Sequence, residues 1–136
     1  MPDIPIGIVG TKSLVVTKEV TVARDDETMP AVFATPMMVY LMEVTAGDLI
    51  QPYLPEGWIT VGAVVNVRHL AATPVGAIVT ARAEVTEVGN NTVTFKVEAH
   101  DGVDKIGEGT HVRAPVEVAR FLKRVEKKRA LMSLES

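Results

Sequence analysis

An α+β fold, an antiparallel sheet curled around one long helix, is what this sequence predicts, and three observations carry it. A helix-like segment is apolar on every side, so it must be wrapped rather than laid on a surface. Four consecutive runs after it alternate apolar and polar residues with period two, the mark of strands with one covered face. A β-branched run precedes it, giving the order β, α, β, β, β, β and a closing α.

The elements follow in order. "SLVVTKEVTVA", Ser13 to Ala23, is rich in β-branched residues and predicts the first strand. The loop "RDDETMPAVFAT" leads into "TPMMVYLMEVTAGDLIQPYL", where Thr35 can cap a helix and Pro36 fits the first helical position. That helix should run to about Gln51, with Met37, Met38, Val39, Tyr40, Leu41, Met42, Val44, Leu49 and Ile50 surrounding its axis. The runs "WITVGAVVNVRHL", "GAIVTARAEVTEV", "TVTFKVEAH" and "KIGEGTHVRAPVEV" are four strands joined by turns at "ATPVG", "GNN" and "DGVD". In "VARFLKRVEKKRALM", Val118, Phe121, Leu122, Val125 and Met132 fall at helical spacing opposite a basic face. One sheet face and two edges are left bare, which predicts a homodimer, with pairing of dimers into a tetramer left open.

Composition narrows the function. The 136 residues fit one domain, 1–136; they are 47% hydrophobic and 23% charged, with a net charge of -3. Such an acidic chain gives no reason to expect nucleic acid as a partner. There is no cysteine, so thiolate nucleophiles, disulfides and Cys-based zinc sites are excluded, which fits a cytoplasmic protein. "MPDIPIGIVG" lacks the basic and apolar regions of a signal peptide, and the longest apolar run, around Pro30 to Met42, stops at Glu43, too short to span a membrane. A soluble protein without a membrane partner is expected. Three scattered histidines give no metal site, and "GEG" is too short for a phosphate or dinucleotide loop, so no cofactor is expected.

Three residues stand out for chemistry. His69 shares its strand side with Val61, Ala63, Val65 and Val67, while Thr60, Gly62, Val64, Asn66 and Arg68 point the other way. It therefore faces the core side, either as a structural histidine on a backbone carbonyl or as an acid-base group. Glu43 sits in the most apolar helix, with no lysine or arginine from Ala31 to Val67. It is either a carboxylate at a subunit interface or solvent edge, or a base or nucleophile in a pocket. Thr35 is either an N-cap alone or a residue whose helix-start position also helps hold a carbonyl as it gains negative charge.

Other signals are weaker. His100 shares a face with Thr94, Lys96 and Glu98 and should be exposed. His111 shares one with Lys105, Gly107, Gly109 and Arg113, where paired glycines mark the close approach of another backbone or a ligand. The basic face of the last helix, Arg120, Lys123, Arg124, Lys127, Lys128 and Arg129, is either simply solvated or a guide for the anionic groups of a substrate, helped by Arg68 or Arg113. Phe33, Met37, Met38, Met42 and Gly62 are the candidate substrate-contacting residues of a pocket whose flexible methionines suit several small apolar groups.

"FATPMMVYLME", with a threonine eight residues before a glutamate, then "HLAATPVG", then "AHDGVDKIGEGTHVRA" resemble the hotdog-fold thioesterases of the fluoroacetyl-CoA thioesterase type, from about Met29 to Arg113. The resemblance implies a five-stranded antiparallel sheet around a long central helix and a homodimer with sites between subunits. It also implies hydrolysis of an acyl-CoA thioester, with Thr35, Glu43 and His69 in the catalytic positions. The fluoroacetyl-specific member carries aromatic residues over its pocket before the threonine, where this chain has Asp26 and Met29. Two other readings stay open. One is a hotdog enoyl-CoA hydratase, for which Asp101 beside His100 is the nearest acid-base pair; the other is a non-catalytic acyl-CoA binding domain.

Overall fold

The computed structural model describes residues 3–133. Five antiparallel strands, β1 (Val9–Val15), β2 (Trp58–His69), β3 (Ile78–Val88), β4 (Val93–His100) and β5 (Lys105–Glu117), form one sheet in the order β1-β3-β4-β5-β2. Helix α1 (Thr35–Ile50) lies against all five strands, and α2 (Val118–Leu131) follows β5 directly. The expected hotdog architecture is what the chain adopts.

Small residues decide how closely the helix approaches. The inner faces of β3 and β4 present Val79, Ala81, Ala83, Val85, Val93, Phe95, Val97 and Ala99, all fully buried, with alanines where a larger side chain would hold α1 away. From the helix, Met38, Leu41, Met42, Thr45, Ala46 and Ile50 complete the core. Their three- and four-residue spacing marks one buried face, while Tyr40 is 59% exposed. Within a single chain the helix is therefore covered on one face only, and not on most sides as its apolar composition leads one to expect.

The first strand differs from expectation. It begins at Val9 and ends at Val15, where Val16 turns into the core, and residues Lys18–Val20 form a 3-10 turn closed by the Thr21 hydroxyl on the Lys18 carbonyl. β-branched residues continue past the strand because this segment crosses the end of the sheet. There Ala34 N–H donates to Val20 O and Phe33 N–H donates to Thr73 O. The first of these bonds ties the start of α1 to the 3-10 turn and the second ties it to the β2–β3 loop.

β2 carries a second departure. Its ladder with β5 skips a residue between Gly62 and Val64, a β-bulge at Ala63. The extra residue switches parity, so Thr60 and Gly62 face the helix together with Val65, Val67 and His69, instead of facing away. A smaller irregularity between Ala99 and His100 likewise puts Lys105 on the outer face, where it pairs with Glu98 and Glu108.

Candidate active site

Thr35 is the first residue of α1 and Ala34 the N-cap, so Thr35 is not the cap that its place before proline predicts. Its hydroxyl instead meets His69 Nδ1 at 2.7 Å. The Phe33 backbone bond to Thr73 O brings the helix start to the loop that follows β2, and alternation with Val65 and Val67 aims His69 inward. His69 Nε2 is buried with no hydrogen-bond partner among the described residues. Leaving a buried polar nitrogen unpaired costs free energy, so the histidine is a group awaiting a partner rather than a satisfied structural residue. Thr35 and His69 line a cleft of about 390 Å³ with Val22, Val32, Phe33 and Leu70.

Few donors remain open in the first turn: Met37 and Met38 N–H both turn back to Ala34 O, and Pro36 has none. The help that the helix start is expected to give a carbonyl gaining negative charge is thereby reduced.

Glu43 lies elsewhere. Eight residues along α1 from Thr35, it is displaced by about 12 Å along the axis and opens into a second cleft, about 380 Å³, lined by Tyr40, Val44, Ile59, Thr60 and Arg113. Its carboxylate rests on Gly62, where an added Cβ would come within 2.6 Å of Oε2. The cation missing from residues 31–67 arrives from β5: Arg113 Nη1 is 3.9 Å from Glu43 Oε2 and donates to the Glu43 carbonyl at 3.4 Å. Arg113 also donates to Thr60 Oγ1 (2.7 Å), Thr60 O (2.8 Å) and His111 Nε2 (3.1 Å). Burial is the main influence lowering the Arg113 pKa, opposed by the nearby Glu43 charge. Burial likewise pushes the His111 pKa down.

The remaining candidates separate. Phe33 is buried beside His69 at the first cleft, and Met37 packs against the core at partial exposure. Met38 and Met42 are core residues, not pocket lining, because Gly107 lets them press against β5; a Cβ there would meet Met38 Sδ at 2.5 Å. Close packing thus accounts for that glycine. Arg68 is on the outer face, ion-paired to Glu108 and exposed, and Arg113 is interior, held by Thr60 at the wall of the second cleft. Asp26 spends its carboxylate on the Thr28 hydroxyl and N–H, which hold its pKa down, and Met29 is 46% exposed. His100 is exposed, as expected. Asp101 accepts from the Asp104 and Val103 N–H groups and the Thr73 hydroxyl, which lower its pKa and leave it no acid-base role with His100. The residue missed from sequence is Thr60, hidden by the bulge; His111 is singled out there by its face, but its bonds to Val64 and Arg113 are not.

A five-stranded antiparallel sheet curled around one long helix is the hotdog fold, and the chain's relatives place it among the thioesterases built on that fold. The sequence model of the fluoroacetyl-CoA-specific thioesterases matches residues 16–119. The fluoroacetyl-CoA thioesterase of Streptantibioticus cattleyicolor is 44% identical over 99 residues, 73% of this chain and 71% of that protein. The solved structure of the fluoroacetyl-CoA thioesterase FlK superposes with a TM-score of 0.88 at 39% identity, covering 93% of this chain and 98% of that one. A Thermus thermophilus hypothetical protein, a thioesterase superfamily member, superposes at 0.86 with 34% identity, covering 97% and 99%. The chain belongs to the family of fluoroacetyl-CoA-specific thioesterases. No helix among its described residues is long and apolar enough to cross a membrane.

Proposed function

We propose that this protein hydrolyses a small acyl-CoA thioester to the free acid and CoA at a site made of Thr35 and His69 from one chain and Glu43 from a second copy. The 2.7 Å contact between the Thr35 hydroxyl and the His69 imidazole carries the proposal, because it joins a nucleophile to the base it requires. Thr35 Oγ1 attacks the thioester carbon while its proton passes to His69. The C–S bond then breaks, the proton leaves with the CoA sulfur, and water resolves the acyl-threonine with Glu43 as its base.

A second copy supports this reading, since Glu43 is too far along its own helix to reach the same substrate carbon. β2 is an edge strand with Val64 and Val65 about half exposed at its centre. Antiparallel pairing of two such edges about Val65, with one residue taken up by the bulge at Ala63, sets His69 opposite Thr60 of the other copy, beside that copy's Gly62 and Glu43. The acyl group is small, because both clefts are shallow and their neighbouring methionines are committed to the core. The fluoroacetyl ester is one member of that class, and Asp26 and Met29 in place of aromatic residues favour a wider acyl range.

The test is CoA release from short-chain and aryl acyl-CoAs, the fluoroacetyl ester included. Alanine at His69 or Glu43 should cut turnover at least about 100-fold, the scale for acid-base groups. Retained turnover in both variants would refute the site, whereas binding without release by the wild type would make the protein an acyl-CoA binding domain. Mass spectrometry of quenched enzyme should find the acyl group on Thr35.

A further inference from the structure

His111 is a buried, titratable side chain that hydrolysis as described leaves unused. It is 1% exposed on the inner face of β5, stacked on Phe95 of β4 with ring centroids 6.1 Å apart. Its two nitrogens have opposite duties. Nδ1 lies 2.7 Å from Val64 O, and a carbonyl only accepts, so Nδ1 carries the proton. Nε2 lies 3.1 Å from Arg113 Nη1, and a guanidinium only donates, so Nε2 is the bare acceptor. Both neighbours therefore select one neutral tautomer.

We propose that His111 is a positioning residue whose Nε2 lone pair holds the Arg113 guanidinium against Glu43, while its Nδ1–H pins the β2 bulge that seats Glu43 on Gly62. The same nitrogen, Arg113 Nη1, meets His111, the Glu43 carbonyl and the Glu43 carboxylate. Val64 is the first residue past the bulge, so the second bond anchors the strand where Gly62 makes room for the carboxylate. The charged groups around the ring are Glu43 from α1 and Arg113 from β5; β2 and β4 present Thr60, Gly62, Val64 and Phe95, which carry no charge. A proton on Nε2 would set donor against donor beside a buried cation, releasing Arg113. The inference rests on Glu43 belonging to the site.

Three substitutions separate positioning from simple packing. His111→Gln places an amide oxygen near the Nε2 position and can still accept from Arg113; His111→Asn reaches only the Nδ1 position; His111→Phe keeps the stack and loses both bonds. Two readouts are taken on each: kcat and KM for CoA release from acetyl-CoA, and the arginine guanidinium 15N spectrum, with Arg113 assigned through Arg113→Lys. A held guanidinium gives separate, slowly exchanging Nη signals. Phe and Asn should average those signals and lower kcat at least about tenfold with KM nearly unchanged, and Gln should keep both properties within about threefold of wild type. Separate Nη signals in the Phe variant, or equal losses in Gln and Asn, would overturn the proposal. So would wild-type kcat with averaged signals. Should the wild type release no CoA from any ester, the thioesterase reading falls, and the guanidinium spectra alone decide whether His111 holds Arg113.

Discussion

At the residue scale, the Glu43 seat shows how one missing side chain can matter more to chemistry than to folding. Gly62→Ala would push its Cβ onto Glu43 Oε2, the mobile end of a long side chain in an open cleft. The carboxylate can swing away at a stability cost of about 1 kcal/mol or less, but a displaced base costs about 100-fold in turnover. Paired chemical denaturation and CoA-release assays should show a nearly unchanged midpoint with activity lost. His111 gives a pH prediction of definite sign. Its folded pKa is lowered by burial, so below the ordinary histidine value of about 6.5 the unfolded chain takes a proton that the native state resists. Stability from this group is complete above that pH and falls as pH drops through the window towards the folded value, by at most about 1.4 kcal/mol per pH unit. Subtracting the urea stability of His111→Gln from that of wild type between pH 7 and 5 should isolate that slope; parallel curves would refute it. Of these residues, sequence makes Thr35, Glu43 and His69 visible through local anomalies: a threonine before proline, a carboxylate in an apolar helix, a histidine on an apolar strand side. Arg113 and His111 are invisible as partners of Glu43, because contact across seventy residues leaves no local pattern.

At the element scale, periodicity identified α1, all four strands after it and α2 nearly to their ends; β3 and β4, the most regular, bury every second residue, whereas the apolar stripe of α2 is left uncovered in the single chain. It failed where regularity breaks. Alternation read straight through Ala63 puts Thr60 and Gly62 outside, and the bulge reverses them. β-branched residues past Val15 look like strand although they cross the sheet's end. The α1–β5 contact gives a stability prediction. Gly107→Ala would set a Cβ 2.5 Å from Met38 Sδ and 3.0 Å from Met42 Cε, and both methionines are fully enclosed. With no room to yield, this overpacking should cost about 1–3 kcal/mol, against little for Gly62→Ala, in the same denaturation assay. α2 offers a different test. It leaves β5 beside the start of β2, where Val118 N–H donates to Gly57 O, so its basic face sits near the end of the sheet that holds the Glu43 cleft. A helix that guides CoA phosphates should give Lys123→Glu/Lys127→Glu a raised KM with kcat unchanged, and a KM that climbs with salt in wild type only.

At the scale of the whole molecule, the proposed sharing of Thr35, His69 and Glu43 between two copies ties oligomeric state to the chemistry. In the proposed pairing, a two-fold axis through the β2 edges at Val65 would bring each residue there against its own copy. Val65→Glu would therefore oppose two carboxylates, and sedimentation should show a monomer with its circular dichroism intact and its turnover gone. Loss of activity alone does not prove that sites are shared, since a monomer can fail for other reasons. Mixing two dead variants does. In His69→Ala paired with Glu43→Ala, one of the two shared sites combines an intact His69 with an intact Glu43, and the other lacks both. Random exchange makes half the dimers mixed, each with one working site of two, so activity should return to about a quarter of wild type. If each site were built within one chain, every site in the mixture would still lack a group and nothing would return. Adding Val65→Glu to both variants should abolish the recovery, tying it to the β2 edge rather than to any other contact between copies.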